Sequence, residues 1–178
     1  MQEVKMDKKA SGDLLEHISS RYLTRLLEQS DIQHIYELCS KNEQYYRFHP
    51  PFVTVESIAE DMEALPPGKD MNDKFFFGFF ENNKLAAIMD LIIDYPQQGT
   101  AFIGLFMMDK SMQGNGTGSF IISECVKYFQ NSGFEKIRLA VDKGNPQSKA
   151  FWLKNGFAFT GEECPNGELS YLPMERVL

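Results

Sequence analysis

The feature that most constrains this chain is a run of alternate glycines between two regular segments. Gly114, Gly116 and Gly118 separate an apolar run, TAFIGLFMMD, from a segment with helical spacing of apolar residues. Each ordered glycine costs conformational entropy, so three of them in one turn need a physical reason. The first amides of a helix have no internal partners and lie at the positive end of its dipole. A strand, a bare turn and a helix start therefore predict a cradle for a phosphate or pyrophosphate.

Two common glycine motifs do not fit this turn. A P-loop requires Lys and then Ser or Thr after its last glycine, whereas Ser119 and Phe120 follow Gly118. A dinucleotide-binding fingerprint requires an opening βαβ unit, whereas the segments before this turn predict a hairpin meander. A tight turn whose glycines serve only packing is the remaining alternative.

Apolar periodicity and turn signals predict one mixed α/β domain over residues 21–178, preceded by an extension over residues 1–20 with a short helix around 13–19. Strands are predicted at 22–27, 74–81, 85–95, 100–109, 137–142, 157–163 and 168–178. Helices are predicted at 31–41, at 54–65, from the glycine turn to 131, and at 146–156. Residues 42–51, which are rich in aromatic side chains and end in two prolines, are predicted to form a loop.

Composition and charge argue against several classes of function. No apolar run approaches the length of a membrane span, and the charged N-terminus lacks the apolar stretch of a signal peptide, so we expect a cytoplasmic protein without a membrane partner. Three widely spaced cysteines argue against a disulfide framework and a zinc site. The net charge of −7 argues against nucleic-acid binding.

The charge is unevenly distributed along the chain. Residues 100–160 carry seven basic and four acidic side chains, which gives that segment +3 and leaves −10 on the remainder of a chain whose total is −7. A basic segment around the glycine turn suits an anionic ligand, and the acidic remainder suits a cationic one.

Two motifs resemble the signatures of the GNAT superfamily of N-acetyltransferases. QGNGTG at 113–118 fits the pattern Gln/Arg-x-x-Gly-x-Gly/Ala, and NPQSKAFWLKNGF at 145–157 is similar to Asn-x-x-Ala-x-x-Phe-Tyr-x-Lys-x-Gly-Phe. The predicted order of elements is also that of the family, and the resemblance covers about residues 21–178. It implies the GNAT fold, a mostly antiparallel sheet whose parallel strands splay apart at an acetyl-CoA site. It also implies an acetyl-CoA-dependent N-acetyltransferase.

The resemblance implies acetyl-CoA as co-substrate, no metal, and a pyrophosphate held on the glycine turn. Gln113 is then expected to orient the turn, Asn145 to contact the cofactor, and the backbone N–H of Met108 to stabilise an oxyanion. The expected cofactor-binding residues are Phe106, Met107, Met108, Gln113, Gly114, Asn115, Gly116, Thr117, Gly118, Ser119, Asn145, Phe151 and Trp152. Further candidates for the adenosine phosphates are Lys143, Lys149 and Lys154.

Two departures from the family pattern leave the catalytic acid and base open. Trp152 stands where many relatives carry a tyrosine that protonates the departing thiolate, and Phe102 stands where some carry a glutamate base. The candidate titratable side chains are Glu43, Tyr46, Asp90 and Tyr171, with Tyr45, His49 and Asp94 as further candidates.

The implied reaction is direct attack of a primary amine, on a small molecule or a peptide, on the thioester. One alternative is a non-catalytic acyl-CoA-binding sensor, and another is a partner-binding protein that uses residues 1–20 as an arm. The acceptor and the oligomeric state, a homodimer included, are left open.

Overall fold

Eight strands form one mixed sheet in the computed structural model, which describes residue 15 and residues 17–178. They are β1 (Leu23–Leu26), β2 (Lys74–Glu81), β3 (Lys84–Ile93), β4 (Thr100–Met108), β5 (Lys136–Asp142), β6 (Ala158–Phe159), β7 (Cys164–Asn166) and β8 (Leu169–Val177). The order is β1-β2-β3-β4-β5-β8-β6, with β7 also on β8, and every pair is antiparallel except β4 with β5. This confirms the predicted mixed α/β fold with a mostly antiparallel sheet.

Five α-helices with assigned bounds lie within the described residues: α1 (Ile32–Cys39), α2 (Glu43–Phe48), α3 (Val55–Glu63), α4 (Thr117–Asn131) and α5 (Pro146–Lys154). Side chains of α1 and α3 pack with Phe76 and Ile88 on one face of the sheet. Side chains of α4 and α5 pack with Phe75 and Phe77 on the other face. Since successive strand residues point to opposite faces, a run of phenylalanines in β2 is buried on both sides.

Helix α2 corrects the predicted loop over residues 42–51. None of its residues is buried, so it has no apolar stripe at helical spacing for the sequence to reveal. The predicted strand over 157–163 is reduced to the two residues of β6, and β7 forms in the segment before the last predicted strand. The residues of both short strands are exposed and the strands pair only with β8, which explains why they lack the usual alternation.

The end of the predicted N-terminal extension packs against the domain. Leu15 and Ile18 are buried in the main core, and the Ser19 hydroxyl and Ser20 N–H donate to the carboxylate of Glu124 on α4. Of the helix expected around residues 13–19, residue 15 is helical, residues 17–19 are not, and residues 13, 14 and 16 lie outside the described residues. No helix in the part of the chain that the structure describes is long and apolar enough to cross a membrane.

The parallel strands β4 and β5 separate before either of them ends. Their pairing runs from Thr100 opposite Lys136 to Ile103 opposite Leu139. Beyond that point β4 continues to Met108 and β5 to Asp142 without pairing to each other. The predicted splay is therefore present, and it opens a gap in the middle of the sheet.

Candidate active site

A cavity of about 290 Å³ lies where β4 and β5 separate. Its walls come from the end of β4, the glycine turn, the first turns of α4 and α5, and α2. Eleven of the thirteen expected cofactor-binding residues line it: Phe106, Met107, Met108, Gln113, Gly114, Gly116, Gly118, Ser119, Asn145, Phe151 and Trp152. The other two lie within the turn, where the Asn115 side chain accepts a hydrogen bond from the Thr117 N–H at 3.1 Å.

The register of the sheet directs backbone groups of β4 into this cavity. Met108 lies opposite Ala87 of β3, while the N–H of the next residue, Asp109, donates to the Ala86 carbonyl at 2.8 Å. In an antiparallel ladder this makes Met108 a non-hydrogen-bonded position, so its own N–H and carbonyl point away from β3. Phe106, two residues earlier, has the same orientation. Because β5 no longer pairs here, both residues direct backbone groups into the gap.

The three glycines of the turn have two different structural causes. Gly114 and Gly116 have φ values of +82° and +89°, and a Cβ on either would meet no protein atom within 4 Å. A Cβ on Gly118 would instead lie 2.7 Å from Sδ of Met108 and 3.1 Å from the Phe151 ring. Gly118 therefore allows α4 to approach β4 and α5, as the packing alternative requires. Gly114 and Gly116 present open backbone to the cavity.

The start of α4 leaves backbone donors at the cavity wall. The Thr117 N–H is satisfied by Asn115, and the Phe120 N–H donates to the Gly116 carbonyl at 3.0 Å. Between them, the N–H groups of Gly118 and Ser119 have no acceptor within residues 17–178 or at residue 15. These donors lie at the positive end of a fifteen-residue helix, so this end of the cavity suits an anion.

Two amide side chains tie the turn to the rest of the site. Gln113 Nε2 donates to Asn42 Oδ1 at 2.7 Å and to the Met108 carbonyl at 3.3 Å. Asn42 Nδ2 donates at 3.0 Å to that carbonyl and also, at 3.0 Å, to the Leu38 carbonyl at the end of α1. This network fixes the turn against β4 and α1. The sequence did not identify Asn42, because its partners are up to 71 residues away.

Asn145 and the aromatic residues form the α5 side of the cavity. Asn145 Oδ1 accepts the Ser148 N–H at 3.0 Å, so this side chain caps α5 as well as lining the cavity. The Phe106 and Phe151 rings stack with their centroids 6.0 Å apart. Trp152 packs between Phe106 and Phe157, with ring centroids at 6.1 and 4.9 Å, and belongs to the main core.

The lysine candidates divide into two groups. Lys154 lines the cavity, as does Lys110, which the sequence reasoning did not single out. Lys143 pairs with Glu163 at 2.9 Å, and Lys149 Nζ donates to the Lys143 carbonyl at 2.9 Å. The cavity therefore has two lysines on its walls, which adds to its preference for an anion.

None of the four principal catalytic candidates lines this cavity. Glu43 and Tyr46 lie on an open surface depression beside Phe52. Asp90 forms an ion pair with the buried Lys74 at 2.8 Å, and burial raises the pKa of its carboxyl despite that lysine. Of the further candidates, Asp94 accepts the Gly99 N–H at 2.7 Å within a turn.

Tyr171, the fourth principal candidate, belongs to a polar group next to the cavity. The group, here called the His49 cluster, comprises Tyr45, His49, Asp142 and Tyr171. Tyr45 lines the cavity and stacks on His49, with ring centroids 5.1 Å apart. His49 Nδ1 lies 3.2 Å from Asp142 Oδ1, and the Tyr171 ring lies 6.0 Å from the imidazole. Burial, with the charge of Asp142, raises the pKa of the Tyr45 phenol and keeps it protonated.

The fold is one that solved acetyltransferases share. An acetyltransferase from Thermus thermophilus superimposes with a TM-score of 0.69 at 19% identity, over 91% of this chain and 99% of the other. The PaiA N-acetyltransferase of Thermoplasma acidophilum, in complex with coenzyme A, gives 0.62 at 20% identity, over 88% and 99%. A spermidine N-acetyltransferase that is a chimera of the Vibrio cholerae protein and hSSAT gives 0.67 at 20% identity, over 89% and 96%.

The sequence itself carries the family relationship. The model described as the acetyltransferase (GNAT) family matches residues 32–157, which include β2 to β5, the glycine turn and α5. The chain belongs to the GNAT acetyltransferase family. A comparison with curated protein sequences gave no match.

Proposed function

We propose that this protein transfers the acetyl group of acetyl-CoA to a primary amine by direct attack of the amine on the thioester. The observation that carries the proposal is the continuity of the cavity. It runs from the unpaired N–H groups at the start of α4 to the gap between β4 and β5. One end of it suits a pyrophosphate, and the other end exposes a strand edge and the face of Tyr45.

Each part of the cofactor has a complementary part of the wall. The N–H groups of Gly118 and Ser119, with Lys110 and Lys154, suit the negative charge of the phosphates. The open space before Gly114 and Gly116 admits a bulky anion close to the backbone.

The β4 side of the gap suits the pantetheine arm and the thioester. The edge of β4 can pair with the pantetheine amides as an added strand would. The Met108 N–H, directed into the gap, is then the donor for the developing oxyanion. Acetyl-CoA supplies the activated acyl group, and the protein positions both reactants and handles the proton.

We infer that the acceptor is a cationic primary amine. The carboxylate of Asp142 lies at the end of β5 beside the gap, and the chain outside residues 100–160 carries a charge of −10. A spermidine acetyltransferase is among the structures that share the fold. These features favour a polyamine or an amine on a basic molecule over an acidic acceptor.

The test combines binding with turnover. Calorimetry should show acetyl-CoA binding to the wild-type protein, and S-acetylpantetheine, which lacks the pyrophosphate, should bind at least about tenfold more weakly. Release of free CoA thiol over a panel of primary amines should then identify an acceptor. Equal affinity for the two thioesters would show that the glycine turn does not bind the pyrophosphate. Tight binding without turnover on any amine would instead indicate a sensor.

A further inference from the structure

The His49 cluster holds one imidazole against the last residue of β5. His49 directly follows α2, Asp142 is the last residue of β5, and Tyr171 lies on β8. The cavity wall and the imidazole are one aromatic ring apart, because Tyr45 lines the cavity on one side and stacks on His49. Three separate elements therefore position a single titratable ring next to the predicted acceptor side.

The contact with Asp142 determines which imidazole nitrogen is available. A carboxylate oxygen 3.2 Å from Nδ1 favours the tautomer that carries its proton there. Nε2 then has a free lone pair, and it has no hydrogen-bond partner within the described residues. The side chain of Asp142 is only 8% exposed, whereas that of His49 is 39% exposed, so the base can release a proton to solvent.

We propose that His49 is the general base that accepts a proton from the acceptor's ammonium group, and that Asp142 positions it. This inference rests on the proposed function, because it requires the thioester to lie in the β4–β5 gap. An alkylammonium has a pKa of about 10 and is not a nucleophile at neutral pH, so the reaction needs a proton acceptor. Trp152 and Phe102 occupy the two positions where the family resemblance would place an acid and a base, so another side chain must accept the proton.

The ammonium transfers one proton to His49 Nε2, and the nitrogen lone pair attacks the thioester carbonyl carbon to form the new C–N bond. The C–S bond breaks, and the sulfur leaves with its electron pair. The sulfur then takes the second proton of the amine as CoA thiol. His49 returns its proton to solvent, and the products are the acetylated amine, the thiol and one proton.

The charges around His49 favour this role. Asp142 on β5 contacts the imidazole, Asp61 on α3 is a further carboxylate near it, and the phenols of Tyr45 and Tyr171 face its ring. A carboxylate 3.2 Å from Nδ1 can pair with the imidazolium that forms when the proton is transferred, and the phenols add no charge at neutral pH. The same carboxylates attract a cationic acceptor.

The experiment compares His49→Gln with His34→Gln, which replaces an exposed histidine on α1. The acceptor is the amine with the best turnover in the panel, and kcat/KM is measured across pH. At neutral pH, His49→Gln should lose about a hundredfold and His34→Gln should lose nothing. The loss should shrink at alkaline pH, where the free amine becomes abundant. Asp142→Asn should show a smaller loss with the same pH trend.

The controls separate this inference from the proposed function. Acetyl-CoA affinity and thermal unfolding should match the wild-type in every variant, and His49→Asn provides a second variant if His49→Gln does not fold. An unchanged kcat/KM in a folded His49 variant would overturn the inference but leave the proposed function standing. So would a loss that is equal at every pH, since that indicates packing or binding. A wild-type protein that binds no acetyl-CoA would overturn both.

Discussion

The two ends of the cavity are built in different ways. At the glycine turn, the groups that face the cavity are backbone amides of consecutive residues, held by one helix start and two positive φ angles. At the other end, Tyr45 of α2 lines the cavity, and the polar side chains behind it come from the end of α2, from β5 and from β8, brought together by tertiary packing. A backbone site leaves a local signature in the sequence because glycine is required in fixed positions. A side-chain site leaves none.

The largest effect expected from a single change at the backbone end comes from Gly116→Ala. Its Cβ would stand in the open space that the phosphates need, so the Kd for acetyl-CoA should rise at least about tenfold, or about 1.4 kcal/mol. Isothermal calorimetry measures the change. S-acetylpantetheine should bind the variant and the wild-type equally, because it carries no pyrophosphate.

Gly133→Ala is the matched control for that variant. Gly133 follows the other end of α4, has a φ of +82°, and a Cβ there would also meet no protein atom within 4 Å. Both variants should lose about 1–2 kcal/mol of stability from the left-handed conformation, but only Gly116→Ala should weaken cofactor binding. Equal affinities in the two variants would show that the turn does not hold the phosphates.

Asn42 connects the two ends, and its removal should affect both. Asn42→Ala deletes two donors to carbonyls and the acceptor for Gln113, so the turn and α2 both lose an anchor. We expect about a fivefold rise in the Kd for acetyl-CoA and a comparable fall in kcat, since a buried hydrogen bond contributes about 1 kcal/mol.

Asn155→Ala is the control for Asn42→Ala. Asn155 is also buried, it does not itself line the cavity, and its side-chain amide donates to the backbone carbonyl of Phe151 in α5. Thermal unfolding should show a loss of stability in both variants, whereas only Asn42→Ala should change both acetyl-CoA binding and turnover. If Asn42→Ala changed stability alone, the two ends would not be coupled through this network.

The acceptor end should respond to salt more than the cofactor end does. If Asp61, Asp142 and the acidic remainder of the chain attract the amine, the KM for a diamine should rise about threefold between low and high salt, because screening shortens the reach of the field. An amino acid of the same length carries a carboxylate in place of one amine. At low salt its KM should be higher than that of the diamine, and its KM should change less as salt is added. A preference for the anionic acceptor would contradict the charge argument.

The elements that form the backbone end could be predicted from the sequence, whereas the contacts of the His49 cluster could not, for physical reasons. Strand β2 and helix α4 were recognisable because their apolar residues have the periods of buried elements, and the motifs at 113–118 and 145–157 have fixed spacing. The sequence did not indicate that Gly118 makes a close approach to Met108, because that contact depends on how α4 packs.

Helix α2 and the side-chain contacts that depend on it could not be predicted from local sequence patterns. The helix is only six residues long and none of its residues is fully buried, so its sequence resembles that of a loop. His49 and Asp142 are 93 residues apart, and their contact exists only because β5 ends beside the end of α2. His49 was one of several titratable candidates in the sequence, and only the fold distinguishes it from Glu43 and Tyr46.

The smallest effect is expected at Trp152, which lies between the two ends but belongs to the core. The indole is 6% exposed and packs among Phe106, Phe151 and Phe157, so its contribution is mainly to packing. Trp152→Phe should lower stability by about 1–2 kcal/mol and leave kcat within about twofold. The thiol that forms from the leaving group has a pKa of about 8.5, so loss of the indole N–H should not limit departure of the thiolate. Phe157→Leu, which removes volume on the far side of the indole, is the matched control for stability.

Trp152→Tyr should raise kcat only if protonation of the thiolate limits the rate. A hundredfold fall in kcat for Trp152→Phe, with unchanged acetyl-CoA affinity and with Phe157→Leu fully active, would mean that the indole N–H contacts the transition state.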